Sequence, residues 1–293
     1  MLTMSAHAKV NLGLEILGRR PNGYHDVMTI LQEIDLADRL TFVDAAELTL
    51  GSNLPALADD PDNLVLRAAR RLRDVAGVRR GAEINLEKLI PIAAGLGGGS
   101  SDAAATLIAL NRLWDIGMSR AELLNVAREI GTDVAFFLAG GTQLATGLGD
   151  LLEPLPRPYL WLVLVPVFSS VPDKTRQLYA ALRPDDWSDG RQVAEIAALL
   201  RAGKSIARLP LPSGFSRVTL AMFPELANAL AVMRRAGAVP SLCGAGPSIM
   251  SVHDDHDEAR RVAENVRRDG LDARVARTVG VAERIPRSSS GGE

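Results

Sequence analysis

The chain has 293 residues, of which 47% are hydrophobic and 23% charged, with a formal net charge of −2. That length and apolar content suit one large or two medium domains with a substantial core and exclude a mostly disordered chain, while the balanced charge excludes a general attraction to nucleic acid or anionic membranes. Cys243 is the only cysteine and the four histidines, His7, His25, His253 and His256, are scattered, which excludes a disulfide framework and a thiolate zinc cluster and leaves any metal to arrive with a phosphate ligand.

The N-terminus lacks the basic and apolar blocks of a signal peptide, and no uncharged run is long enough to span a bilayer, so a cytoplasmic protein is expected. In Ala8-Lys9-Val10-Asn11-Leu12, strand alternation would put an amine and an amide on one face. Taken alone, a lysine so placed is more often a solvated side chain. In Pro21-Asn22-Gly23-Tyr24-His25-Asp26, Asn-Gly signals a turn that would push Tyr24 and His25 outward. An aromatic ring beside an imidazole suits stacking on a base, although Tyr24 packed at the loop base fits as well.

Residues 41–43, 47–50 and 82–86 read as short strands, and 63–76 as a helix with Leu64, Ala68, Leu72 and Val75 on one face. Next comes Pro91-Ile-Ala-Ala-Gly-Leu-Gly-Gly-Gly-Ser-Ser-Asp102, between a strand-like run at 83–89 and an apolar run at 103–114. Glycines at 95, 97, 98 and 99 let the backbone approach a ligand closely, and a turn opening a helix aims several N–H groups at one point. The pattern reads as a phosphate cradle; a flexible linker is the alternative, and the tight apolar flanks argue against it. It is not a Walker A loop, because no lysine precedes Ser100, and residues 120–125 read as helix where a dinucleotide fold needs an acidic strand end.

Ser119 and Glu122 form a capping-box pattern. In Gly131-Thr132-Asp133-Val134, Asp133 opens the apolar segment 135–138, where a plain N-cap would contribute about 1 kcal/mol. Gly140 and Gly141 close that helix, and 142–145 looks like a returning strand. Prolines at 154, 156 and 158 mark a composition break and a domain boundary. Beyond it, 159–167 reads as a central strand, 173–182, 190–202, 224–236 and 256–268 as helices, and 249–252 and 273–276 as short strands. Cys243-Gly244-Ala245-Gly246-Pro247-Ser248 is a second glycine-rich turn, explained by a tight connection nearly as well as by ligand binding. The expectation is α+β with two lobes, residues 1–155 and 156–284, no internal repeat, and a disordered tail at 285–293.

In their order along the chain, these segments resemble the GHMP kinase superfamily, whose phosphate motif matches at Pro91, Gly95, Leu96, Gly97, Gly98, Gly99, Ser100, Ser101 and Asp102. The likeness runs over about residues 5–280. The cues at 8–12, 22–26, 131–138 and 244–248 are similar to the branch that phosphorylates a small alcohol carrying a cytidyl diphosphate. The resemblance implies a two-lobed GHMP kinase fold, with an N-terminal lobe like domain 2 of ribosomal protein S5 and a ferredoxin-like C-terminal lobe. It implies ATP with Mg2+, a monomer or weak homodimer, and neither nucleic-acid nor membrane partners.

By that resemblance the loop from Pro91 to Ser101 would cradle the ATP phosphates. Asp133 would act on the acceptor hydroxyl as base or orienter, and Lys9 beside it would offset charge on the moving phosphoryl group, in a transfer dominated by positioning and charge stabilisation. Tyr24, His25 and Tyr179 would hold the cytosine, Asn11 would contact substrate near Lys9, and Gly244, Ala245 and Gly246 would line the substrate diphosphate. Two departures stand out. Ser213-Gly214-Phe215-Ser216 replaces the family's Asn-x-Leu-Glu segment, and no glutamate is assignable to magnesium. No protein metal ligand is therefore assigned, and the ion is expected on the ATP phosphates, a loop serine and water. Two competing readings are a homoserine- or mevalonate-type kinase, opposed by Tyr24-His25, and a nucleotide-binding regulator without catalysis, opposed by Lys9 and Asp133.

Overall fold

The computed structural model describes residues 1–169 and 171–281. It opens with three strands, β1 (Leu2–Arg19), β2 (His25–Ala45) and β3 (Leu48–Ser52), then helices α1 (Pro55–Ala58) and α2 (Leu64–Ala76) and strand β4 (Gly81–Glu87). Helices α3 (Gly98–Leu113), α4 (Arg120–Ile130) and α5 (Thr132–Ala139) follow, then strands β5 (Thr142–Thr146), β6 (Leu151–Leu155) and β7 (Trp161–Val165). The rest comprises α6 (Lys174–Ala180), α7 (Arg191–Arg201), α8 (Ser216–Met222), α9 (Leu226–Arg235), β8 (Ser241–Leu242), β9 (Ile249–His253), α10 (His256–Arg268) and β10 (Arg274–Arg277). The tail expected to be disordered lies outside the described residues.

β1 and β2 form a long antiparallel hairpin of 18 and 21 residues, the spine of a six-stranded sheet in which β3-β4-β2-β5-β6 follow in order and β1 pairs with β2 off that path. The sequence reading caught only the end of β2, at 41–43. The strand carries Gln32, Glu33 and Asp38 at 0%, 0% and 1% exposure, and buried polar residues break the alternation that marks a strand. β2 is long enough to pair with β4 at one end and β5 at the other while β1 follows it throughout. Register shifts in β1 fall at His7/Ala8 and between Asn11 and Leu14. Such bulges twist the strand and re-aim its side chains, and here they bracket Lys9 and Asn11.

One face of this sheet is covered by α2, α3, α4 and α5, whose alanines, leucines and phenylalanines form a single core with Leu40, Phe42 and Ile84. In α2 the buried face is Val65, Leu66, Ala68, Ala69 and Leu72. Val75, expected on that face, is 43% exposed in the last turn, where Gly77 at φ 65° turns the chain away. Pro154 lies inside β6, an edge strand, where its missing N–H costs no ladder bond.

β7, β8, β9 and β10 make the second sheet, antiparallel throughout, in the order β10-β7-β9-β8. With α9 before β8 and α10 between β9 and β10, the path is the β-α-β-β-α-β of a ferredoxin-like unit. β7 is central, as its uninterrupted apolar run predicted. A core of Ala8, Val10, Leu12, Leu162, Leu164 and Met250 packs β1 against this sheet and α7. Backbone bonds from Val279 N to Glu33 O at 3.0 Å, and from Val193 N to the buried Glu15 carboxylate at 2.7 Å, tie the lobes together. Burial of both faces of β1 follows, and the floor between the lobes is made from its polar residues. No helix among the described residues is long and apolar enough to cross a membrane.

Candidate active site

A cleft of about 1170 Å3 lies where β1, the hairpin turn at 20–24, the glycine loop, the start of α5, α6 and the 243–248 turn meet. Lys9, Asn11, Gly95, Gly97, Ser100 and Asp133 line one part; Tyr24, His25, Tyr179, Trp187 and Phe215 line the other. The charged lining is Lys9, Arg19, Lys174 and Arg176 against Asp133 alone, so the cleft favours an anionic ligand. A smaller hollow of about 590 Å3, near Arg120 and Arg128, is lined by none of the residues expected to bind ligand.

Lys9 is 7% exposed, which rules out the solvated lysine. Its Nζ donates to Asn11 Oδ1 at 3.0 Å, Asn11 Nδ2 donates to Thr29 Oγ1 at 2.7 Å, and Thr29 Oγ1 donates to the Gly13 carbonyl at 2.7 Å. A buried polar group without a partner is costly, so this unbroken chain fixes each rotamer in turn. Nζ lies 3.9 Å from Asp133 Oδ2. Asp133 is not the N-cap expected from sequence. Gly131 holds that position, the helix runs from Thr132, and no side chain caps it. The Asp133 side chain is 42% exposed and free to face a ligand.

The glycine loop is pinned on three sides. Lys9 N–H donates to the Leu96 carbonyl at 2.9 Å, and the Leu96 side chain is buried in the core between the lobes. A Cβ at Gly95 would come within 2.9 Å of the Gly246 carbonyl, so the two glycine turns touch through their backbones. Beneath the loop, Lys88 Nζ bonds Asp38 and, at 2.7 Å, Asp102; all three side chains are at most 5% exposed. Asp38 also accepts from Leu89 N and Ile90 N at 2.6 and 2.7 Å, fixing the strand exit into the loop. Burial pushes the Asp102 carboxyl up to about 7, with the Lys88 ammonium pulling against it and Asp38 adding to the rise. A Cβ at Gly98 would sit 2.8 Å from Lys88 Nζ, so this cluster supports the first turn of α3 from below.

In the aromatic part, His25 begins β2 and is 8% exposed, so the turn does not push it outward as expected. Its ring centroid is 5.2 Å from that of Tyr179, and Tyr179 meets Phe215 edge-on at 4.9 Å. Burial and then Arg19 lower the His25 pKa, leaving a neutral imidazole at pH 7 that both donates and accepts. Burial and then Asp133 push the Tyr179 phenol up to about 12, so it stays a donor. Tyr24 alone stands out, 63% exposed at the rim.

Of the residues expected to bind ligand, Lys9, Asn11, Tyr24, His25, Gly95, Gly97, Ser100, Asp133, Tyr179, Gly244, Ala245 and Gly246 share the one cleft. Pro91, Leu96, Gly98, Gly99 and Ser101 lie outside its lining and build the loop instead. Thr29, Arg19, Lys88, Lys174, Trp187 and Phe215 were not singled out. None belongs to a glycine turn or an aromatic-histidine pair, and each is found only through its spatial neighbours. Phe215 sits inside the segment that departs from the family pattern, where it packs on Tyr179. Among the described residues no group of three or more His, Cys, Asp or Glu side chains is set to hold a metal.

Comparison with known proteins identifies the family. Residues 63–141 match the GHMP kinases N terminal domain and residues 192–272 match GHMP kinases C terminal. A protein of Pelotomaculum thermopropionicum named 4-diphosphocytidyl-2-C-methyl-D-erythritol kinase is 43% identical over 95% of this chain and 98% of its own length. One of Symbiobacterium thermophilum with the same name is 39% identical over 95% of this chain and all of its own length. A crystal structure of 4-(cytidine 5'-diphospho)-2C-methyl-D-erythritol kinase superposes with a TM-score of 0.80 at 36% identity, covering 95% of this chain and 99% of that one. The homoserine kinase of Cytophaga hutchinsonii, at 19% identity and a TM-score of 0.73 over 95% of this chain and 94% of its own, shares the fold.

Proposed function

The chain belongs to the GHMP kinase family, and we propose that it transfers the γ-phosphoryl group of ATP to the 2-hydroxyl of 4-diphosphocytidyl-2-C-methyl-D-erythritol, in the non-mevalonate route to isoprenoid precursors. The observation that carries this is positional. The Lys9–Asp133 pair lies in the same cleft as both the glycine loop and the aromatic pocket. A phosphate donor on the loop and a base-bearing acceptor in the pocket would meet at that pair.

In this mechanism the loop from Gly95 to Ser100 receives the ATP phosphates on N–H groups at the start of α3. The cytosine stacks on Tyr24 and Tyr179, with the neutral His25 bonding its edge, and the diphosphate lies toward Gly244, Ala245 and Gly246. The acceptor oxygen then faces the γ-phosphorus in line. A bond forms between them as the bond to the departing ADP oxygen breaks, and Asp133 orients the hydroxyl and accepts its proton. Lys9, held by Asn11, offsets the charge on the phosphoryl oxygens. The Ser100 hydroxyl is an oxygen donor of the kind magnesium accepts, together with phosphates and water. Magnesium bound there would neutralise phosphate charge.

Phosphoryl transfer from ATP to the cytidyl substrate, measured beside mevalonate and homoserine, tests the reading. Turnover is expected with the first alone, and folded protein that ignores it in the presence of magnesium sinks the proposal. Tyr24→Ala should raise the KM for the cytidyl substrate roughly tenfold with kcat little changed. Stacking of one base on an aromatic ring is worth about 1–3 kcal/mol and is shared by ground and transition states. A fall in kcat with unchanged KM would place Tyr24 outside the base site.

A further inference from the structure

Lys174, the first residue of α6, is anchored to both glycine turns. Its Nζ donates to the Ala93 carbonyl at 3.1 Å, within the phosphate loop, and to the Gly246 carbonyl in the second turn. Among the described residues it forms no ion pair with a carboxylate. It lines the cleft with Lys9, Gly95, Ser100 and Asp133. Burial, and then the charge on Lys9, depress its pKa to about 8. Two ammonium groups therefore share this part of the cleft with a single carboxylate, which already stands beside Lys9. Neutral carbonyls are weak partners for a part-buried cation, and an incoming anion is a better one.

We propose that Lys174 is a second cationic ligand of the phosphoryl group in transfer, turning from its two carbonyls onto the phosphate oxygens when ATP and acceptor are bound. The inference rests on the kinase reading above. It places one cation on each side of the moving group: Lys9 from the floor of the cleft and Lys174 from the C-terminal lobe. Because Lys174 bonds both turns, it also joins the donor and acceptor halves of the site before ligand arrives.

Two substitutions separate charge from bonding. Lys174→Gln keeps an N–H donor for the carbonyls and loses the cation; Lys174→Arg keeps the cation. Lys174→Gln should lower kcat by roughly 10²-fold, the scale seen when one preorganised stabiliser of transition-state charge is removed. Lys174→Arg should recover most of that loss, and Tm should be similar in both. The pH profile gives a second readout. In the wild type, kcat/KM should fall above about pH 8 as Lys174 loses its proton, and Lys174→Arg should move that fall upward.

The other titratable or charged groups around the cleft are Lys9, Arg19, Tyr24, His25, Asp133, Arg176, Tyr179 and the buried Cys243. His25 is shifted down, while Tyr179 and Cys243 are both pushed up to about 12, so these three do not supply a limb near 8. Lys9, Arg19, Tyr24, Asp133 and Arg176 remain in both variants, so a limb moved by Lys174→Arg belongs to Lys174. Glutamine rescuing as well as arginine, or kcat of Lys174→Gln within about twofold of wild type, overturns the proposal and leaves a structural tie. A wild type inactive on the cytidyl substrate overturns the kinase reading and this inference together. An active wild type with an indifferent Lys174 overturns this inference alone.

Discussion

Asp133→Asn should lower kcat by roughly 10²–10⁴-fold, the usual contribution of a positioned general acid or base, and leave the KM for ATP within about twofold of wild type. The structure separates chemistry from stability at this position. Asp133 is neither the N-cap of α5 nor buried, and among the described residues its one close charged partner is Lys9 at 3.9 Å. Losing a half-exposed carboxylate of this kind costs little fold stability, because such a pair contributes about 0–1 kcal/mol. Lys9 keeps its bond to Asn11, so it stays in place. Asparagine has the same shape and still bonds a hydroxyl, yet it accepts no proton. A comparison with Asp133→Ala therefore divides orienting from proton transfer. If both variants lose turnover equally, the carboxylate acts as a base. If asparagine retains most of it, orientation is what Asp133 supplies. A rise in ATP KM that matches the fall in kcat contradicts the placement of Asp133 beside the acceptor.

The parts of this site that were legible in sequence are those whose backbone chemistry is unusual. A cluster of glycines before a helix has few explanations, and Asn-Gly before Tyr24-His25 marks a turn without reference to any other part of the chain. Helices α6, α7, α9 and α10 were legible for a similar reason, whereas α8 was not read from the sequence. α10 runs over His256–Arg268 as expected, because Asp255 caps it and its apolar residues recur on one face. The length of the hairpin that carries the site, and the burial of its polar residues, were not legible. In β1 the apolar Ala8, Val10 and Leu12 pack between the lobes while Lys9 and Asn11 form the cleft floor, so the polar face resembles a solvated one until the partner lobe is known. In β2, Glu33 and Asp38 are buried because the backbone N–H groups of Gly141, Leu89 and Ile90 need acceptors. Those partners lie 51 to 108 residues away, a separation that local periodicity does not encode. The Lys88–Asp38–Asp102 cluster was hidden in the same way.

Asp133 lies in the first turn of α5 and Lys174 opens α6, two elements distant in the chain, so the tie between the two glycine turns matters. The Gly95 and Gly246 backbones approach too closely for any side chain between them. A displacement of one turn is therefore transmitted to the other through hard contact. Lys174 reinforces that contact with two hydrogen bonds, and Asn11 reinforces it from below. A Cβ on Gly244 would lie 2.7 Å from Asn11 Oδ1 and 3.5 Å from Lys9 Nζ. The donor and acceptor halves of the cleft are thus registered by backbone, and the reacting side chains take their positions from it.

Gly97→Ala tests that registration and should be severe for both stability and rate. Gly97 is the N-cap of α3 at φ 71°, a left-handed conformation that costs an L-residue about 1–2 kcal/mol. Its Cβ would also meet Lys9 Cγ at 2.9 Å and the Phe137 ring at 3.0 Å. Phe137 is 1% exposed within the helical core and has nowhere to go, so the displacement falls on the Lys9 stem. Lys9 cannot shift freely, because its N–H holds the Leu96 carbonyl and its Nζ holds Asn11. The loop and the lysine must then move apart, and a misplacement near 1 Å in a reacting array costs about 10²-fold in rate. Gly99 provides the contrast. It has no left-handed φ, and its Cβ would touch only Leu64 Cδ1 at 3.4 Å. Gly99→Ala should therefore hold or raise Tm, an exchange worth about 0.4–1 kcal/mol where the backbone allows it. Thermal melts of the two variants, with kcat and ATP KM for Gly97→Ala, decide the point. Equal Tm for both, with Gly97→Ala turning over at the wild-type rate, would mean that the loop's glycines are interchangeable and that Lys9 is not held by the loop.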